Sequence, residues 1–245
     1  AIFISMRAVE PIRTSICYPR LNAKLVGGYA GLSDGKDGAT HQSIEDVAIM
    51  RAIPELVVLS PSDPVMAAKI ARAAIAHDGP VYVRIEYEET PRIHDPDVPF
   101  EIGRGIIVKA GRDLTIATYG IALARAMEAA SALAQAGIDV EVLDMASLKP
   151  FVEALLMASV DRTGALLTLE DHSLIGGIAA IATDVLFRAG RRPRFAALGI
   201  PDHFSESGKN HELRQRFGLD AAAVVATARR LQAGEIGQPA GSSSP

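Results

Sequence analysis

Short runs of branched apolar residues alternate with longer segments that gather their apolar residues on one helical face, and the alternation continues to about Gln232. The pattern predicts strands at 56–59, 81–85, 114–118, 140–144, 165–169 and 195–198. Helices are predicted between and after them, at 44–52, 64–76, 122–136, 154–160, 178–189, 212–217 and 220–232. Strands that alternate with helices call for parallel sheets covered on both faces. The expected fold is therefore α/β, with two consecutive open, mainly parallel sheets. Local signals agree with the helices. Asp63-Pro64 reads as an N-cap followed by a first-turn proline, Asp220 as a second cap, and Gly137 and Gly218 as helix stops.

The pattern breaks once. The stretch EETPRIHDPDVPFEIGRG, residues 88–105, holds three prolines and has neither period, as a linker does. The domain plan that follows is 1–93, 94–103 as the linker, 104–232, and a flexible tail at 233–245. The first domain is short for a doubly wound sheet and opens on an apolar element, so it is expected to be incomplete at its N-terminus.

Composition narrows the function. Of 245 residues, 49% are apolar and 22% charged, with a net charge of −4 and no basic block. A nucleic-acid surface is not expected. No apolar run approaches the ~18 residues of a membrane span. A single cysteine, Cys17, excludes an internal disulfide and suits a reducing, cytoplasmic setting. Cys17 itself reads as a small buried residue.

The stretch GLSDGKDGATHQSIED, residues 31–46, is the part least like a generic surface turn. Ser43 and Asp46 resemble a capping box, which starts the helix near Ile44 and leaves His41 just ahead of its N-terminus. The field there disfavours an imidazolium, so a neutral His41 could donate to a developing oxyanion. Asp37 could accept from a hydroxyl, and Gly35 and Gly38 allow a backbone to approach a ligand closely. The competing reading is a glycine turn whose histidine packs on the helix start.

The run DGKDGATHQSIEDVAIMRAIPELVVLSPSD resembles the pyrimidine-binding domain of the transketolase family of thiamine-diphosphate enzymes. The flanking FISMRAVEPIRTSICYPRLNAKLVGG and GPVYVRIEYE fit the same domain. SLKPF, TGALLTLEDHSLIGG, GIPDHFSESG and FGLDA resemble that family's C-terminal domain, in the right order. The resemblance implies a C-terminal subunit or fragment of a transketolase-like enzyme, which moves a two-carbon ketol unit between sugars through thiamine diphosphate and Mg²⁺. It implies that His41 is catalytic, that Asp37 reads a substrate hydroxyl, and that Phe3 and Met6 face the aminopyrimidine. A second histidine common in the family would fall at Tyr29, and a phosphate-gripping arginine near Tyr87. Both positions are read as substrate-binding, with a sugar phosphate less favoured because tyrosine carries no fixed positive charge. Arg84, three residues away on a strand, points to the other face.

Two parts of the family's machinery are missing from the sequence: the glutamate that acts on the pyrimidine ring and the G-D-G…N motif that holds the metal. The metal ligands are therefore expected outside this chain, on an N-terminal diphosphate-binding subunit or domain, in a dimer or heterotetramer. Alone, the chain is expected to be inert. The relatives deoxyxylulose-phosphate synthase and the beta subunit of 2-oxoacid dehydrogenases remain alternatives, as does a non-catalytic dimerisation module. Other polar groups read as architecture: Glu170, Asp171 and His172 at a strand end, Asp202 to Glu206 in a solvated loop, and His77 and His94 at a helix end and in the linker. No G-x-G-x-x-G, Walker A, G-x-S-x-G or HExxH motif occurs.

Overall fold

A computed structural model describes residues 1–237. Among these residues nine strands form two sheets. The first contains β1 (Lys24–Gly27), β2 (Val57–Leu59), β3 (Val81–Arg84) and β7 (Ser147–Lys149), in the order β1-β3-β2-β7. The second contains β4 (Ile106–Lys109), β5 (Leu114–Thr118), β6 (Val140–Asp144), β8 (Ala165–Ser173) and β9 (Arg194–Ile200), in the order β4-β6-β5-β8-β9. All pairings are parallel except β7 on β2 and β4 on β6. The α/β architecture with mainly parallel sheets is thus present.

The sequence-predicted strands and helices all occur, with boundaries moved by a few residues. Three strands escape the pattern, and each has a physical reason. β1 lies at a sheet edge with Val26 exposed, so its inside-outside contrast is weak. β4 also lies at an edge and has one exposed isoleucine. β7 is only three residues long. The opening is helical: α1 (Ile2–Met6), α2 (Val9–Pro11) and a π-helical turn over Ile12–Cys17. Cys17 is free and buried.

The helices start and stop where their chemistry directs. In α4 (Pro64–Ala76) Asp63 accepts from the Met66 N–H at 2.7 Å. α9 (Ala221–Gln232) begins the same way, with Asp220 on Ala223 N–H at 2.8 Å. α5 (Ala122–Gln135), α6 (Glu153–Thr163) and α7 (Ile178–Arg188) cover the second sheet, and α6 stops at Gly164 in the left-handed region. Glu170 reaches from β8 to cap α7, accepting from Ile178 N–H at 2.8 Å and Ala179 N–H at 3.2 Å. A Cβ at Gly177 would fall 2.2 Å from that carboxylate, so only glycine fits there.

The linker does not separate two independent bodies. β7 lies beyond it in sequence yet completes the first sheet. One apolar cluster runs across the junction and includes Val47, Met50 and Tyr82 beside Ala117, Leu143 and Ile178. The linker lacks regular structure but is pinned: Asp63 accepts from Ile93 and His94 N–H at 2.8 and 2.7 Å. The buried His94 ring stands 3.2 Å from Asp63 and 3.3 Å from Asp144. Of the tail predicted at 233–245, only residues 233–237 are described. Gly237 still accepts from Phe195 N–H at 3.0 Å, and residues 238–245 lie outside the described part.

Candidate active site

After β1 the chain enters a loop closed at its neck, where Gly31 N–H donates to Ser43 C=O at 2.8 Å. Inside it Gly35–Asp37 forms a single 3₁₀ turn, and Gly38 follows at a φ of 73°, which favours glycine. His41 N–H and Gln42 N–H both donate to Gly38 C=O, at 3.0 and 3.1 Å. Asp37 is exposed at the tip and makes no side-chain hydrogen bond or ion pair among the described residues.

Two local expectations are corrected here. The helix α3 spans Asp46–Ala52, with Glu45 as N-cap and no side-chain cap bond. Ser43 does not cap it, since its hydroxyl is buried without a partner. Asp46 is turned inward instead, accepting from Tyr82 O–H at 2.9 Å. Four residues separate His41 from the helix, so the helix field is not what sets this histidine's environment. The second correction concerns Gly35 and Gly38. A Cβ on Gly35 would lie 2.6 Å from Asn210 Oδ1 and from Gly208 C=O, and one on Gly38 would lie 2.5 Å from Ser207 Oγ. These glycines admit the segment 207–210 of the second unit rather than a ligand.

The fold brings the predicted residues together in two pairs. Phe3, exposed on α1, meets the His41 ring edge to face, with centroids 5.2 Å apart and planes at 83°. Thr40 Oγ1 lies 3.0 Å from His41 Nδ1. Arg7 stands over the Phe3 ring at 4.1 Å, a contact that the sequence did not announce. Met6 sits one turn beyond Phe3 and is also exposed. The second pair is Tyr29 and Tyr87, stacked at 4.4 Å with planes at 20°. Tyr29 adopts a positive φ of 58°, uncommon for a bulky residue. Tyr87 N–H donates to Ser33 Oγ at 3.0 Å.

Behind this exposed face lies an ionic network. Arg84 is fully buried and donates to Asp46, to Glu86 and to the Asp171 carbonyl. Burial works against its charge, but the Asp46 and Glu86 carboxylates outweigh it and hold the guanidinium above its ordinary value. Arg84 therefore cannot grip a ligand at the surface where Tyr87 stands. Asp171 receives Arg125 and Arg214 on its two oxygens. Its burial opposes ionisation, but the two arginines override it and depress its pKa to about 2. Arg214 also reaches Glu88 at 2.5 Å, so both residues flanking Tyr87 in sequence are tied down.

His172 belongs to the same framework. It is buried, its Nε2 accepts from Ala48 N–H at 3.4 Å, and Nδ1 lies 2.7 Å from Ser173 C=O. An acceptor at Nε2 requires the proton on Nδ1, which matches that second contact. Burial lowers its pKa to about 4, so the ring is neutral and structural. Residues 202–204 are exposed, whereas 206–210 dock on the loop. No group of His, Cys, Asp or Glu among the described residues is placed to hold a metal ion, and no helix among them is long and apolar enough to cross a membrane.

Comparison with known proteins joins the two halves. The family profile "Transketolase, pyrimidine binding domain" matches residues 1–92, and "Transketolase, C-terminal domain" matches 103–224. A protein of Methanocaldococcus jannaschii named for a transketolase C-terminal section is 40% identical over 92% of this chain and 71% of its own length. The 6-deoxy-6-sulfo-D-fructose transketolase subunit SqwH of Clostridium sp. MSTE9 is 37% identical over 94% of this chain and 71% of that protein. Among solved structures, a split-gene transketolase described as an inactive β4 tetramer superposes with a TM-score of 0.88. Its identity is 41%, over 95% of this chain and 74% of that one. A buried framework that carries a loop histidine beside an exposed aromatic ring, and these matches along both sheets, together establish that the chain belongs to the transketolase family and corresponds to its C-terminal section.

Proposed function

We propose that the chain provides the substrate and aminopyrimidine face of an enzyme that transfers a two-carbon ketol unit between sugars. The observation that carries this reading is the Phe3–His41 contact: residues far apart in sequence form one exposed aromatic edge at 5.2 Å. Phe3, with Met6 beside it, suits the flat, largely apolar ring of thiamine diphosphate once the exposed Arg7 side chain swings aside. When bound, that cofactor supplies the electron sink. The residues here fit its pyrimidine end. The Mg²⁺ that holds its diphosphate end is assigned to an N-terminal partner subunit or domain, in a dimer or heterotetramer within a reducing cytoplasm.

His41 is positioned to donate a hydrogen bond to the substrate oxygen that gains negative charge. Asp37, without a side-chain partner among the described residues, accepts from a sugar hydroxyl. The stacked Tyr29 and Tyr87 offer an aromatic surface and hydroxyls rather than a cationic grip. The preferred ketose is therefore one that does not depend on a phosphate at this position.

The test combines this chain with a partner that bears the G-D-G…N motif, thiamine diphosphate, Mg²⁺ and ketose donors. Ketol transfer is expected in the mixture and not from this chain by itself, in keeping with the inactivity described for the β4 tetramer of the split-gene relative. His41→Ala should lower turnover by about two to three powers of ten, the usual effect of removing an oxyanion donor. Cofactor affinity by calorimetry should stay unchanged. Near-normal turnover in that variant would leave His41 a structural residue.

A further inference from the structure

The loop that carries Asp37 and His41 is held from behind by the other half of the chain, and the hold is concentrated in a few groups. α8 (Asn210–Arg216) and the residues just before it lie against the loop. Asn210 makes a two-way contact with loop backbone. Its Oδ1 accepts from Gly35 N–H at 3.0 Å, and its Nδ2 donates to Ser33 C=O at 3.1 Å. Gly208 N–H donates to Gly35 C=O at 2.9 Å, and Gln42 Nε2 donates to Glu206 C=O at 3.0 Å. Leu213, buried one turn into α8, packs beneath Gly35 and Gly208.

The same short helix holds the other exposed pair. Arg214 lies one turn after Asn210 and so on the same helical face. It spans Asp171 at 2.8 Å and Glu88 at 2.5 Å. Glu88 follows Tyr87, and Tyr87 N–H rests on Ser33 Oγ. Ser33 is thus shared: its carbonyl is held by Asn210 and its hydroxyl by the Tyr87 backbone. A displacement of α8 moves the Asp37–His41 loop and the Tyr87 segment together.

We propose that Asn210 is a positioning residue, and that α8 is a brace by which the C-terminal half sets the geometry of the substrate face. Most of the 31–44 segment lacks the hydrogen-bond ladder of a strand or helix, so its shape depends on such side-chain tethers. Gly35 and Gly38 serve the brace, since a side chain at either would strike it. The catalytic half of this inference rests on the ketol-transfer reading above; the structural half does not.

Two readouts in the assembled complex separate them. Hydrogen exchange of the 31–44 amides in Asn210→Ala should speed up by about tenfold or more, while Lys209→Ala, an exposed neighbour whose side chain bonds Glu212 and not the loop, leaves it unchanged. Asn210→Asp keeps the acceptor for Gly35 N–H but loses the donor to Ser33, so it should fall between wild type and alanine. Gly35→Ala attacks the same contact from the loop side and should reproduce the alanine result, which keeps the test sound if Asn210→Ala folds poorly. In a complex that transfers ketol units, kcat/KM for the ketose should drop by roughly 10- to 100-fold in Asn210→Ala, the scale of an ångström-level misplacement, with thiamine diphosphate affinity unchanged. Exchange within twofold of wild type in both Asn210→Ala and Gly35→Ala would overturn the brace. A wild-type complex with no ketol transfer would overturn the functional reading, while the exchange data would still judge the brace.

Discussion

Two groups of polar and aromatic side chains surround the segment between β1 and α3, and they differ in how fully the chain satisfies them. The inner group is mostly paired, although Glu86 Oε2 and Arg125 Nε have no hydrogen-bond partner among the described residues. Arg84 is fully buried and has three acceptors, on α3, on β8 and just past its own strand, and Asp171 takes two arginines. The outer group is left open. Asp37 has no side-chain partner among the described residues, His41 has only Thr40 and the Phe3 edge, and Tyr29 and Tyr87 remain 45% and 65% exposed. Charges already matched inside the chain fix a shape, and a ligand can use only what is left unmatched. The inner group is therefore expected to govern stability and the outer group recognition, with little exchange of roles.

The comparison breaks most visibly at Arg84. Arg84→Met keeps most of the volume but strands the buried carboxylates of Asp46 and Glu86. Removing one partner of a buried ion pair typically costs about 3–5 kcal/mol, which in a chain of this size lowers Tm by roughly 10 °C. Thermal unfolding followed by circular dichroism at fixed protein concentration measures it. A fall below about 2 °C would mean that the network contributes little to holding the two units together.

A pH titration sharpens the same contrast. Burial raises the pKa of Asp171, but Arg125 and Arg214 pull it down to about 2, below the ordinary value near 4. The unfolded chain thus binds this proton first as pH falls. The associated stability is complete above about pH 4 and disappears as pH drops through about 2. Its size is on the order of 2 to 3 kcal/mol. The stability difference between wild type and Asp171→Asn, measured by denaturant unfolding, should shrink across that window. A difference that stays constant from pH 5 to pH 2 would show that the carboxylate's charge is not what the arginines hold.

The inner group was the less legible of the two in the sequence. The periods of the strands and helices located the sheets, because β5, β6 and β8 are wholly buried and rich in apolar residues. The D-G-x-T-H-Q resemblance singled out His41 and Asp37 as candidates. Two of the partners of Arg84 lie on distant elements, Asp46 on α3 and Asp171 on β8, and nothing in local spacing links Arg84 to either. The tie of Asn210 to Gly35 and Ser33 is hidden from local spacing for the same reason. Ser43 and Asp46 misled because a capping-box spacing carries no information about whether the acid is drawn inward by an arginine on a neighbouring strand. β7 was missed because its role, completing the first sheet from beyond the linker, is visible only in three dimensions.

The smallest expected effect tests the outer group, at Tyr87, one of the proposed substrate contacts. Tyr87 is 65% exposed and its ring packs on Tyr29, while its backbone position is set by Ser33, and its sequence neighbours Glu86 and Glu88 are held by Arg84 and Arg214. Tyr87→Arg should therefore leave stability within about 0.5 kcal/mol of wild type, as surface changes usually do. It should alter recognition. A guanidinium on the same mount can form a charge-assisted, two-pronged contact with a phosphate that a phenol cannot match. The ratio of kcat/KM for a phosphorylated ketose over its unphosphorylated form should rise about tenfold in the assembled enzyme, equivalent to roughly 1.4 kcal/mol. If the ratio stays within twofold while stability is unchanged, the phosphate end of the substrate lies away from this aromatic pair. Tyr29 and Tyr87 would then belong to the surface that meets the partner rather than the sugar.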